Sequence, residues 1–318
     1  MNIEKVTVAV LCYNASSTVV QTLDSIKNQS FSNIELLIND DCSIDNSVDV
    51  IKEWISHNSK RFDKVSLFTH DVNKGISYSF DFIVRQASNK WVKCIASDDI
   101  LMKDCIKESV AYVLNNDINT LLYTSMIPFK NENDILQMFE LDKYEIYYIE
   151  KLCKKNAYKQ YKSLLKRDIN LSPTLFMNAD LYKQLGGIDL RIRNIEDHPL
   201  RLLFTSNGYK LFFYNIDTVL YRISDSVSRD LSHMYNAKHI NQLYLLKKYM
   251  IYPNIPIWHI FYYFSEYIEK TRYHLIINKL DNNINFKTIF INTFFKLMEI
   301  NKLCERLHRF YYKLLKEK

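Results

Sequence analysis

The sequence predicts an α/β fold in which a mixed, mainly parallel sheet is flanked by helices and followed by a C-terminal helical extension. Three observations support this prediction: short apolar runs rich in β-branched residues, segments of helical periodicity between those runs, and an aromatic, basic C-terminal region. Parallel strands need a long crossover connection, which is usually a helix. The alternation of strand and helix signals over the first 100 residues therefore favours a parallel sheet with helices on both faces.

The individual elements of this sheet follow from the two periodicities. Strands are predicted at residues 6–12, 34–38, 65–68 and 91–96, and helices at 16–29, 47–55 and 76–87. Ser16 or Ser17 is expected to cap the first helix, because a serine hydroxyl accepts hydrogen bonds from the free amides of the first turn.

After residue 99 the pattern is less regular. A helix is predicted at 105–114, a strand at 120–127, a short helix ending at Gly186-Gly187, a helix at 199–205, strands at 209–214 and 218–223, and helices from about residue 230. Residues 129–168 are polar and poorly periodic, so we expect a mobile substrate-binding loop there. The predicted domains are an α/β domain, 1–228, and a basic aromatic helical extension, 229–318.

Composition excludes several classes of protein. The chain has 318 residues, 47% hydrophobic and 25% charged, which is ordinary for a globular protein that needs no disulfide scaffold. Its four glycines cannot form the G-x-G-x-x-G turn of a dinucleotide-binding fold or the loop of a P-loop NTPase. A bound phosphate must therefore be held by a metal ion or by side chains.

Charge and hydropathy predict the location of the protein. The N-terminal apolar run is unlike a signal peptide, and no window holds the roughly 18 apolar residues of a spanning helix. The six cysteines form no C-x-x-C pair, so we expect reduced thiols in a cytoplasm. Residues 231–318 carry 14 Lys and Arg against six Asp and Glu, although the whole chain is only +6. This asymmetry favours an acidic partner, either anionic lipid or nucleic acid.

Acidic residues follow two of the predicted strands. Residues 39–41 (Asn-Asp-Asp) end the second strand, and residues 97–99 (Ser-Asp-Asp) end the fourth. Ligands of such sheets bind at the carboxyl ends of the strands. Neighbouring carboxylates repel each other, and Mg²⁺ or Mn²⁺ with oxygen ligands would neutralise them. The alternative is that Asp98 and Asp99 cap a helix beginning near Met102.

A third acidic pair, Glu196-Asp197, precedes a predicted helix much later in the chain. A carboxylate in a cleft can act as a general base and take a proton from an attacking hydroxyl. The alternative is that the pair caps the helix, with Pro199 inside its first turn.

Seven short segments carry a resemblance to one protein family. They are Leu11-Cys12-Tyr13-Asn14, the N-D-D-C-S-I-D run at 39–45, Asn73-Lys74-Gly75, Ala96-Ser97-Asp98-Asp99, Gly186-Gly187-Ile188-Asp189, Glu196-Asp197 and Tyr221-Arg222. Their order over about 210 residues resembles that of the motifs in family 2 glycosyltransferases with the GT-A fold, of the type that makes bacterial surface polysaccharides.

The resemblance implies a donor-binding site. Tyr13 and Asn14 would bind the donor, with the tyrosine ring against the nucleobase, and Asp41 would accept a hydrogen bond from the base. Asp98 would contact the ribose. Arg222 would be a further donor-binding residue.

The resemblance also implies the residues of the reaction. Asp99 would coordinate the divalent metal, Mn²⁺ or Mg²⁺, that bridges the diphosphate. Asp197 would be the catalytic base of an inverting displacement. Glu196, His198 and Ser172 would lie on the acceptor side.

The sequence departs from the family pattern at three positions of the site. Cys42 stands where the family has Gly in the turn after the second strand. Ala96 replaces the first Asp of D-x-D, and Phe80 replaces an Arg that often contacts the diphosphate.

The function implied is metal-dependent transfer of a hexose, with inversion, from a nucleotide sugar to a lipid-linked glycan. A UDP-sugar is the favoured donor, and O-antigen, other lipopolysaccharide or capsule would be the product. The protein would be peripheral on the inner face of a bacterial inner membrane and would bind no nucleic acid. Alternatives are a sugar-1-phosphate nucleotidyltransferase and a nucleic-acid-binding protein acting through the basic C-terminal helices.

The C-terminal helices leave two interpretations open. They can pack on the catalytic domain or on a second subunit, which would give a homo-oligomer. They can instead form an in-plane amphipathic anchor, because basic faces attract anionic lipid and aromatic rings favour the headgroup level.

Overall fold

The computed structural model describes residues 3–132, 135–223, 233–280 and 282–299, together with 303, 306–310 and 312. Packing divides the chain into two compact units, residues 1–223 and 224–318. The predicted domain boundary, between residues 228 and 229, lies outside the described residues.

The first unit contains a sheet and the helices that flank it. Its strands are β1 (Val6–Cys12), β2 (Ile34–Asp40), β3 (Lys64–Thr69), β4 (Trp91–Ala96), β5 (Ile100–Leu101), β6 (Leu121–Glu132), β7 (Ile135–Met138), β8 (Phe176–Asn178) and β9 (Leu211–Arg222). Its helices are α1 (Val19–Lys27), α2 (Ser47–Asn58), α3 (Ile76–Gln86), α4 (Cys105–Asn115), α5 (Lys143–Cys153), α6 (Ala157–Leu164), α7 (Ala179–Gln184) and α8 (Asp197–Ser206).

The strands lie in the order β3-β2-β1-β4-β8-β6-β9-β5, and β7 pairs with β6. β1 is parallel to β2 and β4, β2 to β3, and β6 to β9, whereas β5, β7 and β8 pair antiparallel with their neighbours. The predicted α/β fold with a mixed, mainly parallel sheet is therefore confirmed. The register places Cys12 beside Asp40 and Leu11 beside Ala96, so the segments after β2 and β4 leave the sheet at one edge.

The central strands form the core of the first unit. β1 and β2 are buried along their whole length, while β3 at the edge is partly exposed. The one acidic side chain within β2 before its carboxyl end, Glu35, is buried and accepts hydrogen bonds from Thr7 Oγ1 (2.6 Å) and from the amide and hydroxyl of Ser88 (2.9 and 2.7 Å). These bonds replace the water that burial removes from the carboxylate.

The prediction of a mobile loop at residues 129–168 is wrong for the part of that segment that the structure describes. It contains the end of β6, all of β7, and helices α5 and α6. Asp142 and Asn156 cap the two helices through their side chains, accepting hydrogen bonds from Tyr144 N and Lys159 N.

Helix α6 was missed because its buried face is partly polar. Helix α6 buries only Gln160 and Leu164. The Gln160 side chain is fully buried, donates to Leu211 O (3.0 Å) and accepts from Leu211 N (2.7 Å), so it continues the hydrogen bonding of β9. Periodicity of apolar residues cannot detect a helix that packs through an amide.

Two smaller predictions are also wrong. Thr18, rather than Ser16 or Ser17, is the N-cap of α1, and no side chain caps that helix. The amides just before it bond instead to side chains that follow β2. The strands predicted at 209–214 and 218–223 are one strand, β9, whose pairing with β6 contains an irregularity between them.

Helix α7 ends at the predicted glycine pair. The amides of Gly186 and Gly187 donate back to carbonyls of its last turn (3.1 and 3.2 Å), and both residues have positive φ, 90° and 86°. A Cβ on Gly186 would meet nothing within 4 Å. A Cβ on Gly187 would lie 2.4 Å from Asp81 Oδ1 and 2.5 Å from Arg85 Nη2.

Gly187→Ala should therefore destabilise the first unit more than Gly186→Ala. Both substitutions impose the left-handed conformation on alanine, at a cost of about 1–2 kcal/mol. Gly187→Ala must also displace the Asp81–Arg85 pair, and overpacking of this kind adds about 1–3 kcal/mol. Parallel urea denaturation curves of the two variants measure the difference, and equal losses would contradict the close packing seen at Gly187.

The second unit is helical over most of its described residues. It contains α9 (Ala237–Leu246), which continues into a π-helical turn, α10 (Ile260–Lys279) and α11 (Phe286–Met298). Arg272, 1% exposed, pairs with Glu299 at 3.0 Å, and Lys247 pairs with Glu266 (2.8 Å) and Glu269 (2.5 Å). Among the described helices of the chain, none is both long and apolar enough to cross a bilayer.

Candidate active site

A cavity of about 250 Å³ lies at the carboxyl edge of the sheet. Two acidic pairs from distant parts of the chain line it: Asp98 and Asp99, which follow β4, and Glu196 and Asp197, at the start of α8. Apolar side chains form much of the remaining wall, among them Leu11, Ile76, Phe80, Tyr123, Leu175 and Leu200. The fold thus unites two pairs that the sequence places almost 100 residues apart.

The first acidic pair is positioned by contacts to three other elements. Thr22 Oγ1, on α1, donates to the Asp99 carbonyl (2.7 Å), and Ser97 N donates to Leu11 O (3.0 Å) at the end of β1. The Arg222 amide, at the end of β9, donates to Asp99 Oδ1 (2.9 Å). The capping alternative for this pair is wrong, because α4 begins only at Cys105 with another residue as its N-cap.

The electrostatics of this pair favour a cation. Burial, together with repulsion by Asp98, raises the pKa of Asp99 to about 8. Burial also raises the pKa of Asp98, although the nearby Arg222 charge opposes the rise. A divalent ion beside the two carboxylates would offset the cost of burying their charges and the repulsion that Asp98 exerts on Asp99.

The residues at this position fit a divalent metal that also binds a phosphate-bearing substrate. Within the described residues there is no group of three or more His, Cys, Asp or Glu side chains that could enclose an ion. Mg²⁺, however, is usually held by one or two carboxylates and completes its shell with water and substrate phosphates. Asp99 and Asp98 line the cavity and supply such a set.

Asp197, in the second pair, is held from three sides. Ser172 Oγ and Arg201 Nη2 (2.8 Å) donate to its Oδ2, and the His198 amide donates to its Oδ1 (2.7 Å). Arg201 is fully buried and also makes two 2.8 Å hydrogen bonds to Asp168. The carboxylate therefore has one defined orientation, and its charge is balanced by a guanidinium that it shares with Asp168.

The two members of the second pair differ in acidity. Burial by itself would raise the pKa of Asp197, but the charge of Arg201 and the Ser172 hydroxyl bring it down to about 2. Burial, reinforced by the charge of Asp197, raises the pKa of Glu196 to about 8. At neutral pH Asp197 is therefore the ionised member of the pair.

Helix capping explains few of the hydrogen bonds made by Glu196 and Asp197. Glu196 is the N-cap residue of α8, but its side chain caps no amide. One carboxylate oxygen of Asp197 accepts a hydrogen bond from a helix amide, that of His198. The other oxygen accepts hydrogen bonds from the side chains of Ser172 and Arg201.

The residues predicted to bind the nucleobase are not among those described as lining this cavity. Tyr13 is 42% exposed, and Asn14 has φ +50° with its side-chain oxygen accepting from Ile44 N (2.9 Å). Cys42 has φ +64°, in the left-handed region that favours glycine, at the position where the family has Gly. The donor-binding roles of Tyr13 and Asn14 stay predictions.

Asp41 has several partners within the chain. Its carboxylate accepts hydrogen bonds from Lys74 N (2.9 Å) and Gly75 N (2.8 Å) and lies 3.0 Å from His70 Nδ1. These bonds join the end of β2 to the loop before α3. Its contact with a nucleobase stays a prediction.

Three further site residues have defined surroundings. Ser172 and Arg222 contact the acidic pairs, as described above. His198 is buried, with Nε2 2.9 Å from Leu164 O and Nδ1 3.7 Å from Asp168, so it packs against the end of α6. Its role on the acceptor side stays a prediction.

Sequence reasoning missed Arg201, which bonds to Asp197, and Asp168, which bonds to Arg201. Arg201 lies in the predicted helix at 199–205, four residues after Asp197, and opposite charges at this spacing form an ion pair when both lie on one helix. No sequence pattern indicated a role for Asp168, which is the last residue of the segment 129–168 that was predicted to be a loop.

Comparisons with known proteins find related glycosyltransferases. The sequence profile of the family described as glycosyl transferase family 2 matches residues 7–171. EpsE of Bacillus subtilis (strain 168), named as a glycosyltransferase, is 24% identical over 70% of this chain and 73% of its own length. The UDP-Glc:α-D-GlcNAc-diphosphoundecaprenol β-1,3-glucosyltransferase WfgD of Escherichia coli is 27% identical, over 34% of this chain and 40% of WfgD.

A solved structure has a similar fold. The crystal structure of S. aureus TarS 1-349 in complex with UDP-GlcNAc aligns with a TM-score of 0.58 and 15% identity, over 95% of this chain and 82% of that one. The profile match spans just over half of the 318 residues and includes the strand ends that carry the first acidic pair. The chain therefore belongs to glycosyl transferase family 2 and is a glycosyltransferase with the GT-A fold.

Proposed function

We propose that this enzyme transfers a sugar, with inversion and with a divalent metal, from a UDP-sugar to a hydroxyl of a lipid-linked glycan during synthesis of a bacterial surface polysaccharide. The observation that carries the proposal is the single cavity lined by both acidic pairs. One pair has the electrostatics of a cation site, and the other contains an oriented, ionised carboxylate. The peripheral location on the inner face of the membrane is part of the same proposal.

The donor would bind at the first pair. Asp99, with Asp98 beside it, would hold Mn²⁺ or Mg²⁺, and the metal would take up the charge that develops on the leaving nucleotide diphosphate. Asp98 would contact the ribose, and Arg222, whose Nε donates to the Asp98 carbonyl (2.8 Å), would keep this segment against β9. The UDP-GlcNAc bound in the TarS structure supports a UDP-sugar as the donor.

The acceptor would bind at the second pair. Asp197 would take the proton of the acceptor hydroxyl as that oxygen bonds to the anomeric carbon. The bond from this carbon to the diphosphate oxygen breaks on the opposite face, and its electron pair leaves with the nucleotide. Ser172 and Arg201 would fix the carboxylate in the position that accepts the proton. Alignment of donor and acceptor within one cavity supplies a large part of the rate gain.

The relatives support the acceptor class. WfgD, by its name, acts on a sugar attached to diphosphoundecaprenol, which supports a lipid-linked glycan as the acceptor of this enzyme. Membership of a glycosyltransferase family argues against the nucleotidyltransferase and nucleic-acid-binding alternatives.

Thermal unfolding with a panel of donors tests the proposal. UDP-, GDP- and dTDP-sugars are added with Mn²⁺, with Mg²⁺ or with EDTA. A ligand that binds only the folded state raises stability by about 2.7 kcal/mol at 100 times its Kd. We expect a UDP-sugar to raise Tm only when a metal is present. No shift with any donor, or the same shift in EDTA, would contradict the metal-dependent donor site.

A further inference from the structure

Helix α10 presents an aromatic stripe to solvent. Trp258, just before the helix, is 76% exposed, and Phe261 is 71% exposed. Phe264 and Tyr267 continue the exposed stripe at intervals of three residues. The side chains that α10 buries lie at other positions of the helix: Tyr262, Ser265, Ile268, Arg272 and Ile276. Phe261 lies in line with the buried Ile268, seven residues later, but at the exposed N-terminal end of the helix, whereas Phe264 and Tyr267 lie progressively further round the helix from the buried positions.

Helix α11 presents a second apolar stripe. Phe286 is 85% exposed, and Phe290, Phe294 and Leu297 follow it at helical spacing and are also exposed. Thr288 is the buried residue of this helix. Water-exposed aromatic rings repeated along two helices are unusual on a protein surface that has no binding partner.

In the second unit the described acidic side chains are ion-paired, whereas several basic side chains are exposed. Its described acidic residues, Glu266, Glu269 and Glu299, form ion pairs with Lys247 or Arg272. Among the described residues of the same unit, the exposed basic ones are Lys238, Lys248, Lys270, Lys279, Lys287 and Arg306. Because the described carboxylates are paired with Lys247 or Arg272, the described part of the outer surface is basic.

We propose that the second unit binds in the plane of an anionic lipid bilayer. The binding surface is the aromatic-basic surface, defined by the two stripes and their flanking lysines: Trp258, Phe261, Phe264, Tyr267, Phe286, Phe290, Phe294, Leu297, Lys270 and Lys287. Aromatic rings insert at the headgroup level while lysine side chains reach anionic headgroups. This inference extends the peripheral location in the proposed function by naming the surface responsible.

A lipid surface fits these features better than the other partners. A second copy of the chain would bring two basic surfaces together, and like charges repel. A nucleic acid would pair with the lysines but would leave aliphatic side chains such as Ile257 and Ile260, 82% and 70% exposed, without an apolar partner. The hydrocarbon boundary of a bilayer accepts both kinds of side chain.

Vesicle sedimentation of the full-length protein tests the inference without donor or acceptor. The probes are phosphatidylcholine vesicles, with and without 30 mol% phosphatidylglycerol, at about 0.05 to 0.5 M NaCl. We expect binding to the anionic vesicles at least tenfold tighter than to the neutral ones, falling as salt rises, because exposed charges are screened over about 8 Å at physiological ionic strength. Equal binding to both vesicles, or none to either, would overturn the inference.

Two variants and a matched control assign the binding to the surface. Phe261→Ser with Phe290→Ser should weaken vesicle binding at least tenfold, and Lys270→Glu with Lys287→Glu should do the same, since each basic residue near an anionic surface contributes about fivefold. The control is Tyr158→Ser with Lys60→Glu, which changes an exposed aromatic and an exposed lysine in the first unit. It should bind as the wild type does.

Two further outcomes would also overturn the lipid inference. If single-stranded RNA displaces the vesicles at equimolar nucleotide and the lysine variant loses RNA binding, the surface is a nucleic-acid site. If the wild type is a dimer and the phenylalanine variant a monomer with unchanged vesicle binding, the surface joins two copies. Because donor-induced thermal shifts are measured separately, failure of vesicle binding leaves the proposed transfer reaction intact, and the reverse also holds.

Discussion

Asp197→Asn is expected to lower sugar transfer by at least about 10²-fold while donor binding is retained. An amide has nearly the shape of the carboxylate but cannot take up the acceptor proton, and a positioned general base contributes about 10²–10⁴-fold. Asp197 faces Ser172 and Arg201 rather than the first acidic pair, so metal-dependent donor binding should survive. Radiolabelled sugar transfer measures the first effect, and a donor-induced thermal shift measures the second.

The same substitution should reduce stability moderately. Asp197 accepts three hydrogen bonds, and asparagine can accept them at only one atom, so at least one donor loses its partner. An unsatisfied buried group costs about 1–3 kcal/mol. Folding and catalysis must therefore be separated by a control.

Asp168→Asn is the matched control for Asp197→Asn. It disturbs the same guanidinium, because Asp168 makes two hydrogen bonds to Arg201, but Asp168 is not among the residues described as lining the cavity. A similar loss of stability with less than tenfold loss of transfer would assign the larger effect to proton transfer. Equal losses of transfer in both variants would mean that Asp197 acts only through Arg201.

Glu196→Gln decides between the two members of the pair. If Asp197 is the base, this variant should retain most of its transfer activity. If Glu196→Gln loses about 10²-fold and Asp197→Asn retains near-normal transfer, Glu196 is the base and the assignment is reversed.

Asp99→Asn is expected to abolish turnover and to remove the metal requirement for nucleotide binding. Asparagine keeps the oxygen that accepts the Arg222 amide, so the segment between β4 and β5 should stay in place. It removes the negative charge that would hold the metal. Isothermal titration of UDP with and without Mn²⁺ measures the effect, and unchanged metal-dependent binding would rule out Asp99 as the ligand.

Asp104→Asn controls for the loss of a charge in the same region. Asp104 is the N-cap residue of α4, its side chain makes no cap hydrogen bond, and its Oδ1 accepts a hydrogen bond from Ser30 Oγ (2.6 Å). Asparagine keeps an oxygen that can accept this bond. This variant should bind nucleotide in the same metal-dependent way as the wild type.

The pH dependence of the stability of the metal-free protein provides a second test of Asp99. Its pKa is about 8 in the folded protein against 3.8 for the unperturbed group, so the folded state holds a proton that the unfolded state releases between these values. Stability should therefore fall as pH rises from about 5 to 8. Asp99→Asn should show a shallower fall in Tm over that range, with Glu196 responsible for part of what remains, because its pKa is also about 8.

The sequence alone was sufficient to predict the order of strands and helices in the first 100 residues and the edge of the sheet at which the site lies. Runs such as β1 and β4 are mainly apolar, and the connections between them are amphipathic helices, so parallel pairing was the arrangement that buried both. Parallel pairing then places the residues after β4 at the carboxyl edge. The order of the seven short segments was sufficient to identify the family.

Only the tertiary structure decided how the second acidic pair works. The Arg201–Asp168 bonds join residues 33 apart, and α6 packs through Gln160, whose partner is a strand 51 residues away. The outward direction of the stripes on α10 and α11 likewise depends on which face finds a buried partner. Local periodicity reports the contacts of a residue with its neighbours in sequence, whereas an ion pair, a buried amide and an exposed aromatic face are set by elements that the chain brings together only when it folds.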